Sequence, residues 1–416
     1  VTFRRDFRLL WFGETTSLLG SSVAAVALPL VAVVTLQADT FTVGLLTAAY
    51  WLPWLIIGLP AGAWVDRLAC RPVMLFCDGV SFVVYASVPV AAWFGVLTIA
   101  HVLAAALLGG CAKVFFTTAY RAYLPTLVSG DELLSANARL QGSESTTQVV
   151  GPGLAGLLAQ TFGAVSGLVA DALSFAVSAL CLRAMRTPEP RPATPARRRL
   201  RSEIGDGLRF VANDPYLRVL VCFGAVSNLA LTGFSSIGIV FLVRDVGADA
   251  GTVGLVLALG GFGGVVGALI AGRLARRFGT ARAVLLCQLC SAPLVLLIPL
   301  TSHGLGLAFF LVGNVAIGIG VVASNIIQNT FRQQYCPSEL MGRIAASMSV
   351  VNYCTIPLGG LLGGGLGEAF GVRETMWTMT GLQALSVLIL WASRIRLLRD
   401  FPTAPASRPT QARAAR

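Results

Sequence analysis

Four ionisable side chains stand inside otherwise apolar runs of this sequence: Glu14, Asp78, Lys113 and Glu144. A charge placed in hydrocarbon costs at least about 2.5 to 3.5 kcal/mol, so each is a functional candidate from the outset. Glu14, Ser17 and Ser21 recur at i, i+3 and i+7, which sets a carboxyl and two hydroxyls on one helical face. Loss of water and a facing ammonium act on such a carboxyl in opposite senses, and a group balanced between them can take up and release a proton. At ~1.5 Å per residue, Glu14 lies about 9 Å beyond Arg8 and Lys113 about 12 Å before Arg121. Antiparallel helices then bring the two groups to similar depth. The expectation is a coupling proton on Glu14 with Lys113 as counter-charge; the competing reading is a static ion pair joining two helices. Glu144 is a third member of this proton-coupling set, although an acid in the first turn of a helix is favoured by the dipole regardless. Asp78 follows the arginines at 67 and 71 closely enough to pair with either.

Other chemistries lack their residues. The phosphate-cradling pattern GxxxxGK[ST] is absent, and the one lysine is Lys113. The run GGFGGVVG, Gly260 to Gly267, lies in an apolar stretch with no strand before it and reads as close helix packing. His101 and His303 fall at the ends of apolar runs, and neither an HExxH pattern nor a nucleophile–base pair occurs. Nine cysteines, Cys287 and Cys290 among them, read as small packing residues. The chain is expected not to be an enzyme and to need no metal or cofactor, with a proton gradient as its energy source.

The elements that must position these groups are written in the composition. Of 416 residues, 56% are hydrophobic and only 12% are charged, at a mean hydropathy of +0.77. A soluble domain is about a quarter charged. Between Leu9 and Val65 only Glu14 and Asp39 interrupt, and no charge falls between Gly254 and Gly272. Runs of about 20 apolar residues cross a bilayer as helices, and nothing would remain to cover a soluble core. A net charge of +12 would suggest nucleic acid in a soluble chain. Here the arginines fall almost entirely in alternate gaps between apolar runs, and the intervening gaps hold just Arg244 and Arg373. That bias predicts both termini in the cytoplasm, an even number of spans, and no nucleic-acid partner. Twelve spans are counted. The first apolar run is too long for a cleaved signal, and the preference for arginine over lysine suggests a GC-rich bacterial genome. A multi-pass protein of the bacterial inner membrane is expected.

A phrase is repeated. ADTFTVGLL, Ala38 to Leu46, returns as ADAGTVGLV, Ala248 to Val256, and the same offset of 210 pairs Arg8 with Arg218, Ser17 with Ser227, Gly62 with Gly272 and Arg67 with Arg277. Two halves of six helices, related about the membrane normal, are a transporter architecture. Residues 1–186 and 217–400 are the expected bundles. Residues 187–216 read as a Pro- and Arg-rich cytoplasmic linker and 401–416 as a disordered tail.

After the second span stands GAWVDRLACR, with Gly62, Asp66, Arg67 and Arg71, and its counterpart GRLARRFGTAR carries Arg277. This loop resembles the G-x-x-x-D-R-x-G-R-R signature of the major facilitator superfamily, with Ala69 where glycine is usual and Cys70 where arginine is common. A small Gly62 admits close helices, and Asp66 can cap the N-terminus of helix 11 while Arg67 ties it down. The resemblance implies a conformational latch, with which Arg71, Asp78 and Arg277 are grouped. FRLLWFGETTSLLG, YLPTLVSGDELLSANA and DALSFAVSAL are similar to the branch containing macrolide-efflux and siderophore-exporter proteins. VVGPGLAG, with Gly151, Pro152 and Gly156, is similar to the helix-5 bend of superfamily antiporters, and an internal proline predicts a kink. The resemblance implies an all-α membrane fold of twelve transmembrane helices in two six-helix bundles, with helices 1 and 4 lining a central cavity.

Uncharged polar groups complete the candidate site. Helix 10 carries Ser324, Asn325, Gln328 and Asn329, and helix 11 carries Asn352 and Thr355. Facing a cavity these bind cargo; facing other helices they are glue. Trp51 and Trp54 can stack on a polycyclic ligand or belong to an interfacial aromatic belt. Ser17, Ser21, Trp51, Trp54, Asn325, Gln328 and Asn352 are the expected substrate contacts. The expected function is export of a hydrophobic or amphipathic small molecule (drug, natural product or siderophore) by proton antiport with alternating access, performed by a monomer in the lipid bilayer. Uptake through the same fold is the nearest rival. A membrane sensor would need an appended domain, and a membrane enzyme a catalytic cluster that is not visible.

Overall fold

A computed structural model describes residues 5–65, 67–128, 130–187, 209–336 and 338–402, and among them all regular structure is helical. The first half contains α1 (Arg5–Leu30), α2 (Thr40–Ile56, resumed as Gly58–Val65), α3 (Cys70–Trp93), α4 (Ile99–Leu127), α5 (Gly130–Phe162) and α6 (Ser166–Ala184). The second half contains α7 (Pro215–Val240), α8 (Ala250–Phe278), α9 (Thr280–Val295), α10 (Leu307–Tyr335), α11 (Ser338–Phe370) and α12 (Val372–Trp391). Eight of the twelve are long and apolar enough to qualify as spans by themselves. α2 does not because it breaks at Ile57, just after Pro53. α5 does not because it opens on the polar stretch GDELLSANARLQGSESTTQ. With these two, α11 and α12 complete a membrane protein of twelve helices in two bundles.

The repeat is kept in the backbone. α1 runs into a π turn at Val31–Thr35 and α7 into another at Phe241–Asp245, again offset by 210. Asp39 and Asp249 cap α2 and α8 by accepting from the Thr42 and Thr252 N–H groups. Bonds from Thr42, and for Asp249 from the Thr252 backbone, hold both carboxyls below the usual carboxylate range.

Packing of the second bundle begins before residue 217. Asp214 caps α7 through the Tyr216 and Leu217 N–H groups and accepts the Tyr335 hydroxyl at 2.6 Å. It also passes residue 400, where Phe401 stacks on Phe331 at 4.4 Å between ring centroids. Residues 188–208 and 403–416, which hold most of the expected linker and tail, lie outside the described residues.

Small residues set how closely the helices approach. α1 meets α6 along Gly13, Gly20 and Ala27, spaced by seven. A Cβ at Gly20 would lie 2.7 Å from both Asp171 Oδ1 and Ser174 Cβ. Overpacking of this kind costs about 1–3 kcal/mol. Gly20→Ala should therefore lower the thermal midpoint of the detergent-solubilised protein. Gly62→Ala, where nothing lies within 4 Å, should leave it unchanged or raise it. The open space around Gly62 corrects the expectation of a close helix contact there: the intimate approaches lie elsewhere. Those of the GGFGGVVG run do occur, with Gly263 against the Val315 backbone and Gly267 against the Ile319 backbone of α10.

The two halves touch through matched crossings at the ends of the helices opposite the arginine-rich gaps, here called the far end. Gly44 of α2 would place a Cβ 2.7 Å from Gly364 Cα of α11, and Gly156 of α5 one 2.7 Å from Gly254 Cα of α8. The Thr40 N–H donates to Glu368 Oε2 at 3.1 Å, and Arg244 Nη2 donates to the Ala38 carbonyl at 2.7 Å. Only glycine lets backbones cross this tightly.

Candidate functional site

A cavity of about 630 Å³ lies between the halves, and its charged wall belongs to the first. Asp78 of α3, Lys113 of α4, Glu144 of α5 and Asp171 of α6 face it, beside the hydroxyls of Ser17 and Ser21 on α1. Tyr50 and Trp51 of α2 and Asn228 and Ser235 of α7 close other sides. Asp78 and Asp171 are each 1% exposed and Glu14 is 7% exposed. Glu14 Oε2, Asp78 Oδ2 and Asp171 Oδ2 are buried with no hydrogen-bond partner among the described residues. Among the described residues Lys113 is the one basic group in this wall, and Glu14, Tyr50, Asp171 and Asp78 all lie in its field. No ion pair within 4 Å joins Lys113 to Glu14 among the described residues, although each lies in the field of the other.

Folding alone does not ask for these acids, as the second half demonstrates. Leu75–Ser81 reads LFCDGVS and Leu285–Ser291 reads LLCQLCS, so Asp78 corresponds to Gln288. Asp171–Ser174 reads DALS and Gln383–Ser386 reads QALS, so Asp171 corresponds to Gln383. The amides are satisfied. Gln288 Nε2 donates to Ser324 Oγ at 3.1 Å and to the Gly320 carbonyl at 3.2 Å. Gln383 Nε2 donates to Ser227 Oγ at 2.9 Å. A buried polar atom left without a partner costs about 1–3 kcal/mol, and the first half carries that cost in each of three carboxyls.

Asp171 is the residue that the sequence reading overlooked, and two signals pointed to it. It is a lone acid in an apolar run, and Asp171, Ser174 and Ser178 follow the same i, i+3, i+7 spacing as Glu14, Ser17 and Ser21. The two stripes face each other, since Gly13 lies against Ser178 and Gly20 against Asp171 and Ser174.

Several residues stand elsewhere than their spacing suggests. Asp78, grouped with the loop latch, is in the cavity wall beside Ser178. Arg71 turns away from it: Nε donates to the Leu182 carbonyl at 2.9 Å and Nη2 to the Arg183 carbonyl at 3.0 Å, tying α3 to the end of α6. Arg67 is exposed, and the exposed Arg277 lies over the Phe278 ring. Asp66 is outside the described residues. Glu144 is not a first-turn acid, because α5 already begins at Gly130; it lines the cavity and accepts from Gln141 at 3.2 Å. α5 runs unbroken through Pro152, and Gly151 packs on Ser22 of α1. Trp51 and Trp54 start about 16 Å into α2, too deep for an interfacial belt. Both meet Tyr353 of α11, at 6.4 and 5.0 Å between ring centroids. Asn325, Gln328 and Asn352 line a smaller chamber of about 120 Å³ in the second half, where Asn228 donates to Asn352 at 3.1 Å.

Comparison with known proteins agrees with this architecture. The model of the Major Facilitator Superfamily matches residues 10–359 and, in a second alignment, 229–415. The multidrug efflux pump Tap of Mycolicibacterium fortuitum is 28% identical over 97% of this chain and 99% of its own length. The enterobactin exporter EntS of Shigella boydii is 25% identical over 95% of this chain and 94% of its own. The crystal structure of the nucleoside transporter NupG superposes with a TM-score of 0.77 at 14% identity, covering 94% of this chain and 99% of that one.

Proposed function

Because the chain belongs to the major facilitator superfamily, we propose that it exports a hydrophobic or amphipathic small molecule in exchange for protons, by alternating access between its two bundles. It is a transporter, not an enzyme. One observation carries the coupling: three buried carboxyls, each with an orphan oxygen, lie in the field of a single lysine, Asp78 and Asp171 in the cavity wall with it and Glu14 behind that wall on α1. A proton entering this wall neutralises a carboxylate that cargo would otherwise meet, so each occupant weakens the hold on the other. Movement of one charge through 100 mV supplies about 2.3 kcal/mol, ample to drive the exchange.

The direction of transport is supported by the relatives, which are named as an efflux pump and an exporter. The distribution of arginine supports a cytoplasmic basic end in a bacterial inner membrane. With the far end held by the glycine crossings, the cavity is then poised to load from the cytoplasm. Cells expressing the protein should accumulate less of a hydrophobic fluorescent dye than control cells, and an uncoupler should restore the dye. Higher dye content in expressing cells would reverse the direction, and indifference to the uncoupler would remove the proton.

A further inference from the structure

The smaller chamber has the opposite electrical character from the acid-lined wall. It lies among α7, α9, α10 and α11 of the second half, and its polar lining is the carboxamides of Asn228, Gln288, Asn325, Gln328 and Asn352 with Ser227 and the guanidinium of Arg332. Among the described residues no carboxylate lines it. Arg332 is half-buried and makes two described bonds, one to the weak acceptor Met348 Sδ at 3.2 Å and one to Asn329 Oδ1. Neither partner is charged, and a guanidinium carries five donors in a fork shaped for a carboxylate. Asn325, Gln328 and Arg332 recur at i, i+3 and i+7, so α10 aims one polar stripe into the space. A volume of about 120 Å³ holds roughly four waters or one carboxylate with part of its carrier.

The chamber adjoins the main cavity. Asn228 and Leu231 line both spaces. The two spaces therefore share a border on α7. The repeat underlines the contrast: at the offset of 210, Glu14 corresponds to Gly224, which has nothing within 4 Å of its Cβ and borders the chamber. Where the first half places an acid, the second leaves room.

We propose that this chamber is an anion subsite: Arg332, with the carboxamides around it, takes the carboxylate of an amphoteric cargo whose cationic end rests against the acids of the first half. This rests on the export reading and narrows its substrate class to molecules carrying both charges.

Rhodamine 110 and rhodamine 123 share one cationic xanthene and differ only in that the carboxylate of the first is a methyl ester in the second. Binding of each to the full chain in lipid nanodiscs is followed by fluorescence anisotropy. The wild type should bind rhodamine 110 more tightly than rhodamine 123. Arg332→Gln should weaken rhodamine 110 about tenfold and leave rhodamine 123 unchanged, the loss of one charge-assisted bond. Arg332→Lys, which keeps the charge, should restore much of the difference and so separates recognition from misfolding. Equal weakening of both dyes by Arg332→Gln, no weakening of either, or failure of the wild type to prefer rhodamine 110 overturns the subsite. The export reading is tested apart, in proteoliposomes: the expected binding pattern in a protein that moves neither dye would sink export and leave the subsite standing.

Discussion

Asp171→Asn should abolish proton-driven export while leaving the protein folded, inserted and able to bind dye, and Glu14→Gln should do the same. Most substitutions of a buried, partly bonded acid threaten the fold. For Asp171 the second half supplies the control, because Gln383 and Gln288 occupy the positions equivalent to Asp171 and Asp78 and are hydrogen-bonded there. An amide is therefore tolerated at these packing sites. What it lacks is the capacity to exchange a proton. Proteoliposomes with an imposed pH gradient should show dye movement fall to the level of empty vesicles in either variant. Dye counterflow without a gradient should persist, since it asks nothing of a proton. Unchanged thermal midpoints would exclude collapse of the bundle. If Glu14→Gln and Asp171→Asn combined still responded fully to the gradient, the coupling site would not be in this wall.

The fold was legible in the sequence because bilayers impose a strict rule: backbone groups in hydrocarbon must bond within their own helix, so long uncharged runs have one interpretation. The near-verbatim recurrence of ADTFTVGLL as ADAGTVGLV points to the two-fold plan, which the backbone keeps down to the paired π turns that follow α1 and α7. The site was less legible. Glu14 and Lys113 were found because charge stands out in α1 and α4. Asp171 is harder to single out, because it stands near the start of its apolar run, DALSFAVSAL, and only the facing stripe of α1 shows that it points inward. Asp78 was assigned by nearness in sequence to Arg71, whereas α3 carries it about 10 Å inward and Arg71 bonds to the end of α6. The chamber around Arg332 depends on four helices converging, and no local pattern reports that.

Locking the far end should stop transport outright. If the bundles rock about a shared cavity, the crossing of α2 on α11 must open once in every cycle. A Cβ built at Gly367 lies 3.7 Å from Thr40 Cβ. That separation matches the roughly 3.5–4.5 Å between the Cβ atoms of a disulfide. Thr40→Cys combined with Gly367→Cys should therefore oxidise readily with a mild catalyst, and the bridge would hold α2 against α11 beside the Thr40–Glu368 bond. Dye export by the oxidised protein should fall to background and return on reduction, while either single variant should export normally in both redox states. Reversal by the reductant excludes damage to the fold, and the single variants exclude effects on the nine native cysteines. Dye loading from the basic end should survive oxidation, because the cavity stays open to that side while its other exit is held shut. Full export through a molecule shown to be quantitatively bridged would mean that cargo leaves by a route that does not part these helices, and alternating access between the two bundles would have to be abandoned.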